Sequence, residues 1–150
     1  MAGRTPRGDG ARASIALPQF AAAAMELQHS RVVKRGRRIE QLAFQDLHRL
    51  RIGVKRLRYI AEFFLPLAPK KARNYVRALS ELQDLLGKLN DNAVAWRLLD
   101  TLGAGESSPT YQQAVGYVRG WSAAEAERCR NQLPEAWKQF MKTQPWWVQN

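Results

Sequence analysis

Residues 47–64, LHRLRIGVKRLRYIAEFF, constrain the fold more than any other segment of this chain. Leu47, Leu50, Val54, Leu57, Ala61 and Phe64 recur at alternating intervals of three and four. That is the rhythm of an α-helix with one apolar seam. A half-buried strand would alternate every second residue, and no segment does so convincingly. The seam can be buried only against other elements of matching period, so the segment calls for helical partners.

The rest of the chain supplies them. The pattern is helical from Ile15 onward. A first helix is predicted from about Pro18, which suits a first turn, to about Arg35, with Gly36 as its stop. The second runs from about Glu40 to Phe64 and ends before Pro66 and Pro69, which cannot continue a hydrogen-bond ladder. The third spans about Lys70 to Leu102, with Gly87 inside it marking a kink or a close helix approach. A turn over residues 103–109 leads to a fourth helix, about Thr110 to Gln132, and Pro134 opens a short last one to about Lys142. Trp146 and Trp147 are expected to dock onto the bundle. The fold class is all-α: an antiparallel four-helix bundle with a short additional C-terminal helix. Residues 1–14, rich in Gly and Arg, read as a disordered basic tail, and residues 15–147 as one domain, which suits a length of 150 residues.

Charge is distributed unevenly. The net charge is +11, yet residues 1–80 carry 17 Lys and Arg against 5 Asp and Glu, while residues 81–150 carry 7 against 8. All the excess is in the first half, which points to an anionic partner rather than to solubility alone.

Within the second helix the cations keep the rhythm of the seam. His48, Arg51, Lys55 and Arg58, followed by Glu62, are spaced three and four apart. At 100° per residue the four basic groups fill a strip about 80° wide, beside the seam rather than opposite it. Arg49 and Arg56 lie on a second, more exposed strip. Arg31, Lys34, Arg35 and Arg38 are spaced to share a face of the preceding helix, so packing the two helices side by side would join both into one groove. Lys70, Lys71 and Arg73 would line one end of it. Arg binds phosphate through paired donors and Lys as a point charge. A row of them at about 5–6 Å per turn suits a linear chain of phosphates. Single-stranded nucleic acid would also want aromatic platforms, and the strips hold none beyond Tyr59 at the margin. The competing accounts are a solvated basic face, cations paired with acids such as Glu81, Asp84 or Asp91, a protein that grips the backbone of RNA or DNA, and a scaffold that docks an acidic protein.

Other chemistry finds little support. The histidines, His29 and His48, form no metal motif with nearby carboxylates, and there is no Gly-rich phosphate loop. His29 reads as structural or exposed. Residues 82–91, LQDLLGKLND, read as packing, with a salt bridge back to the basic helix. Cys129 is the only cysteine, so no internal disulfide forms and a reducing cytoplasm fits best. No apolar run approaches a membrane span, and Pro18 and Gln19 spoil the faint likeness of the N-terminus to a secretion signal. No enzyme activity, cofactor or metal is expected.

The segments LHRLRIGVKRLRYIAEFF (47–64), LSELQDLLGKLNDNAVAWRLL (79–99) and GYVRGW (116–121), with AWKQF and the terminal tryptophan pair, resemble the CHAD family, the conserved histidine α-helical domain. The resemblance runs from about residue 17 to residue 147. It implies a helical polyphosphate-binding module rather than an enzyme, with family binding positions falling on His48, Arg51, Lys55 and Arg58, and the Arg-rich preceding helix on Arg31, Lys34, Arg35 and Arg38. Family members look like two four-helix repeats around a basic channel. This chain resembles the C-terminal repeat only, so a homodimer or a second CHAD-like repeat would complete the channel.

Overall fold

The computed structural model describes residues 9–148. Four long helices follow one another: α1 (Asp9–Gly36), α2 (Phe44–Phe63), α3 (Pro69–Leu102) and α4 (Pro109–Lys142). Neighbours in sequence pack antiparallel. Gln28 of α1 meets Gly53 of α2, His48 of α2 meets Asn90 of α3, and Asp100 and Tyr75 of α3 meet Arg119 and Phe140 of α4. The all-α bundle expected from the apolar rhythm is the fold observed.

The seam of α2 is the middle of the core. Leu50, Val54, Leu57 and Ala61 are fully buried, with Met25 and Val32 of α1 and Leu79, Leu82 and Leu86 of α3 around them. Each such leucine contributes about 1.5–3 kcal/mol by leaving water. The buried polar residues Gln28 and Ser122 both have partners. Gln28 Nε2 donates to the carbonyl of Gly53 at 3.1 Å. Ser122 Oγ accepts from Trp96 Nε1 and donates to Asn92 Oδ1, both at 3.0 Å, and so pins α4 to α3.

Several boundaries differ from the sequence reading. Residues 9–14, expected in the tail, are the first turns of α1, and Pro18 lies inside that helix. Residues 1–8 of that tail lie outside the described residues. The second helix starts four residues later than expected. Ile39–Gln41 form a 3-10 turn that buries Ile39, entered through Arg38 at φ 56°. That left-handed backbone, unusual for a residue with a Cβ, breaks the path from α1 to α2.

The short additional C-terminal helix does not exist as a separate element, because α4 runs unbroken through Pro134 to Lys142. Proline removes one ladder bond, but the buried residues Ser122, Cys129, Leu133 and Phe140 continue one line across it at seven- and four-residue steps. Burial along that line outweighs the lost bond. The helix starts where sequence chemistry says it should, with Pro109 at its first position and Ser108 Oγ accepting from Tyr111 N at 3.3 Å.

The C-terminal tail closes the bundle onto α1. Trp147 is buried and its Nε1 donates to Glu26 Oε2 at 2.9 Å. Trp137 of α4 lies over Gly36, where a Cβ would fall 2.0 Å from the indole ring. Gly36 does end α1, as expected, and it also makes room for that indole. His29 sits among the rings of Tyr75, Phe140 and Trp147, with Nδ1 2.8 Å from the Tyr75 hydroxyl. It is a structural histidine. At the opposite end, the α3–α4 hairpin continues past the start of α2 and leaves Leu98, Leu102, Tyr117 and Trp121 more than half exposed.

Candidate functional site

The position of the cations follows from which flank of α2 each neighbour covers. Gly53 faces α1: a Cβ there would lie 3.3 Å from Val32 Cγ2 and 3.5 Å from Arg35 Nη1. His48 faces α3, with Nδ1 2.8 Å from Asn90 Oδ1. At 100° per residue these positions lie about 140° apart around α2. Arg51, Lys55 and Arg58 share the side of His48. The groove between the first two helices, expected to hold both basic faces, is therefore not where the strip lies. The strip borders α3, and α1 packs on the other flank of α2. The error lay in assuming that the helix next in sequence takes the flank next to the cations.

Opposite the strip, α3 presents Ser80, Gln83, Gly87 and Asn90 at the same three-four spacing, all half-buried. The His48–Asn90 contact fixes the register between antiparallel helices. One turn along α2 and one turn back along α3 bring Arg51 level with Gly87; the next turns bring Lys55 level with Gln83 and Arg58 with Ser80. Every group in the facing row is neutral. Among the described residues the strip makes one ion pair, Arg58 Nε with Glu62 Oε1 on its own helix at 3.5 Å. Glu81, Asp84 and Asp91 pair with none of these cations, so the expected salt bridge from residues 82–91 is replaced by the His48–Asn90 hydrogen bond.

The site contains unmet polar groups. Arg51 Nε and Gln83 Oε1 are enclosed with no hydrogen-bond partner, and Arg58 Nε has only the Glu62 ion pair. Asn92 Nδ2, Tyr111 OH, Arg119 Nε and Trp146 Nε1 are likewise enclosed without a partner elsewhere in the bundle, so what sets the strip apart is that its unmet groups lie beside free cations. Lys55 Nζ and the Arg58 guanidinium lie 5.7 Å and 5.3 Å from the centre of the Tyr59 ring. That contact orients both side chains along the exposed edge of α2.

The remaining predicted cations are dispersed. Arg31, Lys34 and Arg35 are exposed on α1, and Arg49 and Arg56 are exposed on α2. Arg49 is tied to Asp46 at 3.2 Å. Arg38 falls outside α1, in its left-handed turn, and does not share the α1 face expected for it. Arg73 is seven residues before Ser80 and so belongs to the face of α3 that borders the strip. Lys71 instead lines a pocket beside Tyr75 and Trp146, under the C-terminal tail. Lys70 is exposed at the start of α3.

The model of the CHAD domain family matches residues 2–100. The chain belongs to the CHAD family. No curated protein and no solved structure matches it. The matched CHAD segment contains both walls of the strip, α2 and α3 as far as Asp100, and stops before α4. Neither GYVRGW nor the terminal tryptophans fall within it. Among the described residues of this CHAD chain no cluster of His, Cys, Asp or Glu could hold a metal, and no helix is long and apolar enough to cross a membrane.

Sequence reasoning missed the α3 side of the site. Ser80, Gln83, Gly87 and Asn90 stand inside a run that reads as packing. The available signal was a second three-four row of small and neutral polar residues, beside the apolar row of Leu79, Leu82, Leu86 and Leu89.

Proposed function

We propose that this chain binds inorganic polyphosphate, or a similar linear polyanion, along the cationic row of α2 where it borders α3. The observation that carries the reading is that His48, Arg51, Lys55 and Arg58 border Ser80, Gln83, Gly87 and Asn90, and that no carboxylate of α3 pairs with any of them. An ion-paired structural face would engage the neighbouring Asp84 and Asp91. CHAD domains in general bind polyphosphate-related ligands, which agrees. The row runs from His48 to Arg58, about 15 Å along the helix, and so suits an extended chain of phosphates better than a single one. Arg73 extends it at one end. In this reading the chain is a binding module rather than an enzyme, and it works in the cytoplasm.

Titration of long-chain polyphosphate against the wild type and an Arg51→Ala/Lys55→Ala/Arg58→Ala variant tests the reading. The variant is expected to bind about 10³-fold more weakly or worse, since each charge-assisted contact is worth about 1.5–3 kcal/mol. Equal affinities at moderate salt would sink it. The backbone of RNA or DNA is the alternative ligand, and an acidic protein the next. The one ring on the row, Tyr59, already carries Lys55 and Arg58, which leaves bases no free platform. Polyphosphate should therefore displace nucleic acid at matched phosphate concentration.

The outer side of the row is open, and we read the chain as one CHAD repeat whose channel a second copy or a further repeat completes. The exposed apolar side chains of the α3–α4 hairpin support a partner. Sedimentation across a range of concentrations checks this: a monomer throughout, with full polyphosphate affinity, would exclude it.

A further inference from the structure

Gly87 is half-buried in α3, yet a Cβ built on it would meet nothing within 4 Å. Packing therefore does not require glycine there, and the close helix approach expected at this position is absent. The backbone does not require it either, because Gly105 is the only glycine at positive φ among the described residues. Glycine inside a helix is nonetheless unfavourable relative to alanine, through the backbone freedom it loses on folding. Gly36 and Gly53 offset that cost by admitting Trp137 and the Val32–Arg35 edge of α1. Gly116 and Gly120 also face open space, but they lie on the exposed surface of α4. Among the described glycines Gly87 alone is recessed and uncrowded, which describes the floor of a groove.

Its level in that groove matters. Gly87 stands one turn from the His48–Asn90 contact, opposite Arg51, whose Nε is enclosed and unbonded. On the next turn Gln83 Oε1 is also enclosed and unbonded. We infer that Gly87 is the clearance point of the anion groove: the missing side chain lets a linear polyphosphate lie against α3 level with Arg51. A side chain there would fill the space between the two rows without disturbing either helix. The inference rests on the polyanion reading of the same site and adds to it a residue that limits the width of the ligand.

The test uses the full chain with Gly87→Ala, Gly87→Leu and, as a control on α4, Gly120→Leu. Thermal unfolding and titration with long-chain polyphosphate are measured on each. Gly87→Ala is expected to raise Tm by about 2–4 °C. Affinity is expected to fall progressively from Ala to Leu, by about tenfold for Leu, the loss of roughly one charge-assisted contact. Gly120→Leu should leave affinity unchanged. A stable Gly87→Leu protein that binds like the wild type would overturn the inference, and so would a Gly87→Leu protein that fails to fold, because the space would then not be free. Should the Arg51→Ala/Lys55→Ala/Arg58→Ala variant lose binding while Gly87→Leu keeps it, the groove stands and only the role of Gly87 fails. No loss in the triple variant would remove the polyanion reading itself.

Discussion

The two flanks of α2 are built on opposite principles. Toward α1 the helices touch. Gly53 brings Val32 within van der Waals reach, and Gln28 spends its amide on the Gly53 carbonyl. Toward α3 the bottom of the interface is closed by Leu50, Leu57, Leu79 and Leu86, and the His48–Asn90 hydrogen bond spans one end of its upper edge, but the edge is unfilled beyond it. There Gly87 faces open space, and Arg51 and Gln83 hold polar atoms with no partner. The same residue type, a helical glycine, closes one interface and opens the other. Cations occur along both flanks, so charge alone does not distinguish them. The distinguishing feature is whether the facing helix fills the space and satisfies the polar groups.

The largest effect should come from overfilling the closed flank. Gly53→Leu would drive a side chain into Val32 and Arg35, and overpacking of this kind costs about 1–3 kcal/mol. For a chain of this length that lowers Tm by about 2–12 °C. Thermal unfolding followed by circular dichroism reads it directly. Against the rise expected for Gly87→Ala, the two glycines should move stability in opposite directions. A Gly53→Leu protein as stable as the wild type would mean that the flanks do not differ in packing as described.

A smaller effect separates the flanks by binding. Arg51→Gln on the open side should weaken long-chain polyphosphate about tenfold and flatten the dependence of log Kd on log salt by up to about one unit, as for one lost phosphate contact. Arg49→Gln, on the flank toward α1 and already tied to Asp46, should change both far less. Titration at three salt concentrations checks both. Equal losses would show that the ligand reads the whole basic surface of α2 and has no preferred side.

Much of this was legible in the sequence, for identifiable reasons. Helix type and order follow from the apolar rhythm and from Pro66, Pro69 and Pro109, whose local chemistry decides where chains turn. The row of His48, Arg51, Lys55 and Arg58 was also legible, since its members share one helix and their angular positions need no tertiary information. What lies opposite that row was not. Whether α1 or α3 covers a given flank depends on the approach of whole helices, here steered by Gly53 and by the left-handed turn at Arg38. Pro134 misled for a related reason. A local rule ends the helix, and the burial of Leu133 and Phe140 on either side overrides it.

The smallest predicted effect uses the two histidines, which repeat the contrast between enclosed and open ground. Burial among Tyr75, Phe140 and Trp147 holds the pKa of His29 below its ordinary value, despite the nearby Glu26 carboxylate. The unfolded chain therefore takes up the His29 proton first, at about pH 6.5. Stability from the neutral ring is complete above that pH and is lost as the pH falls from there through the folded value. The Trp147 indole N–H, helped by Ser30, holds the Glu26 carboxyl below its ordinary range against the opposing effect of burial. Its contribution is present above about pH 4.3 and is lost on further acidification. Tm should thus decline in two stages as the pH is lowered from about 7.5 to about 3.5, the first assigned to His29 and the second to Glu26 together with the surface carboxylates Glu106 and Glu125, which hydrogen bonds to Ser108 and Arg128 also hold below their ordinary range. His29→Gln should remove the first stage and keep the second, whereas Trp147→Phe should diminish the second. His48→Gln should instead weaken polyphosphate, because His48 lies on the flank toward α3 and holds Asn90 rather than the core. A first stage that survived His29→Gln would remove the assignment of that stage to His29, and unchanged polyphosphate affinity in His48→Gln would remove His48 from the ligand row.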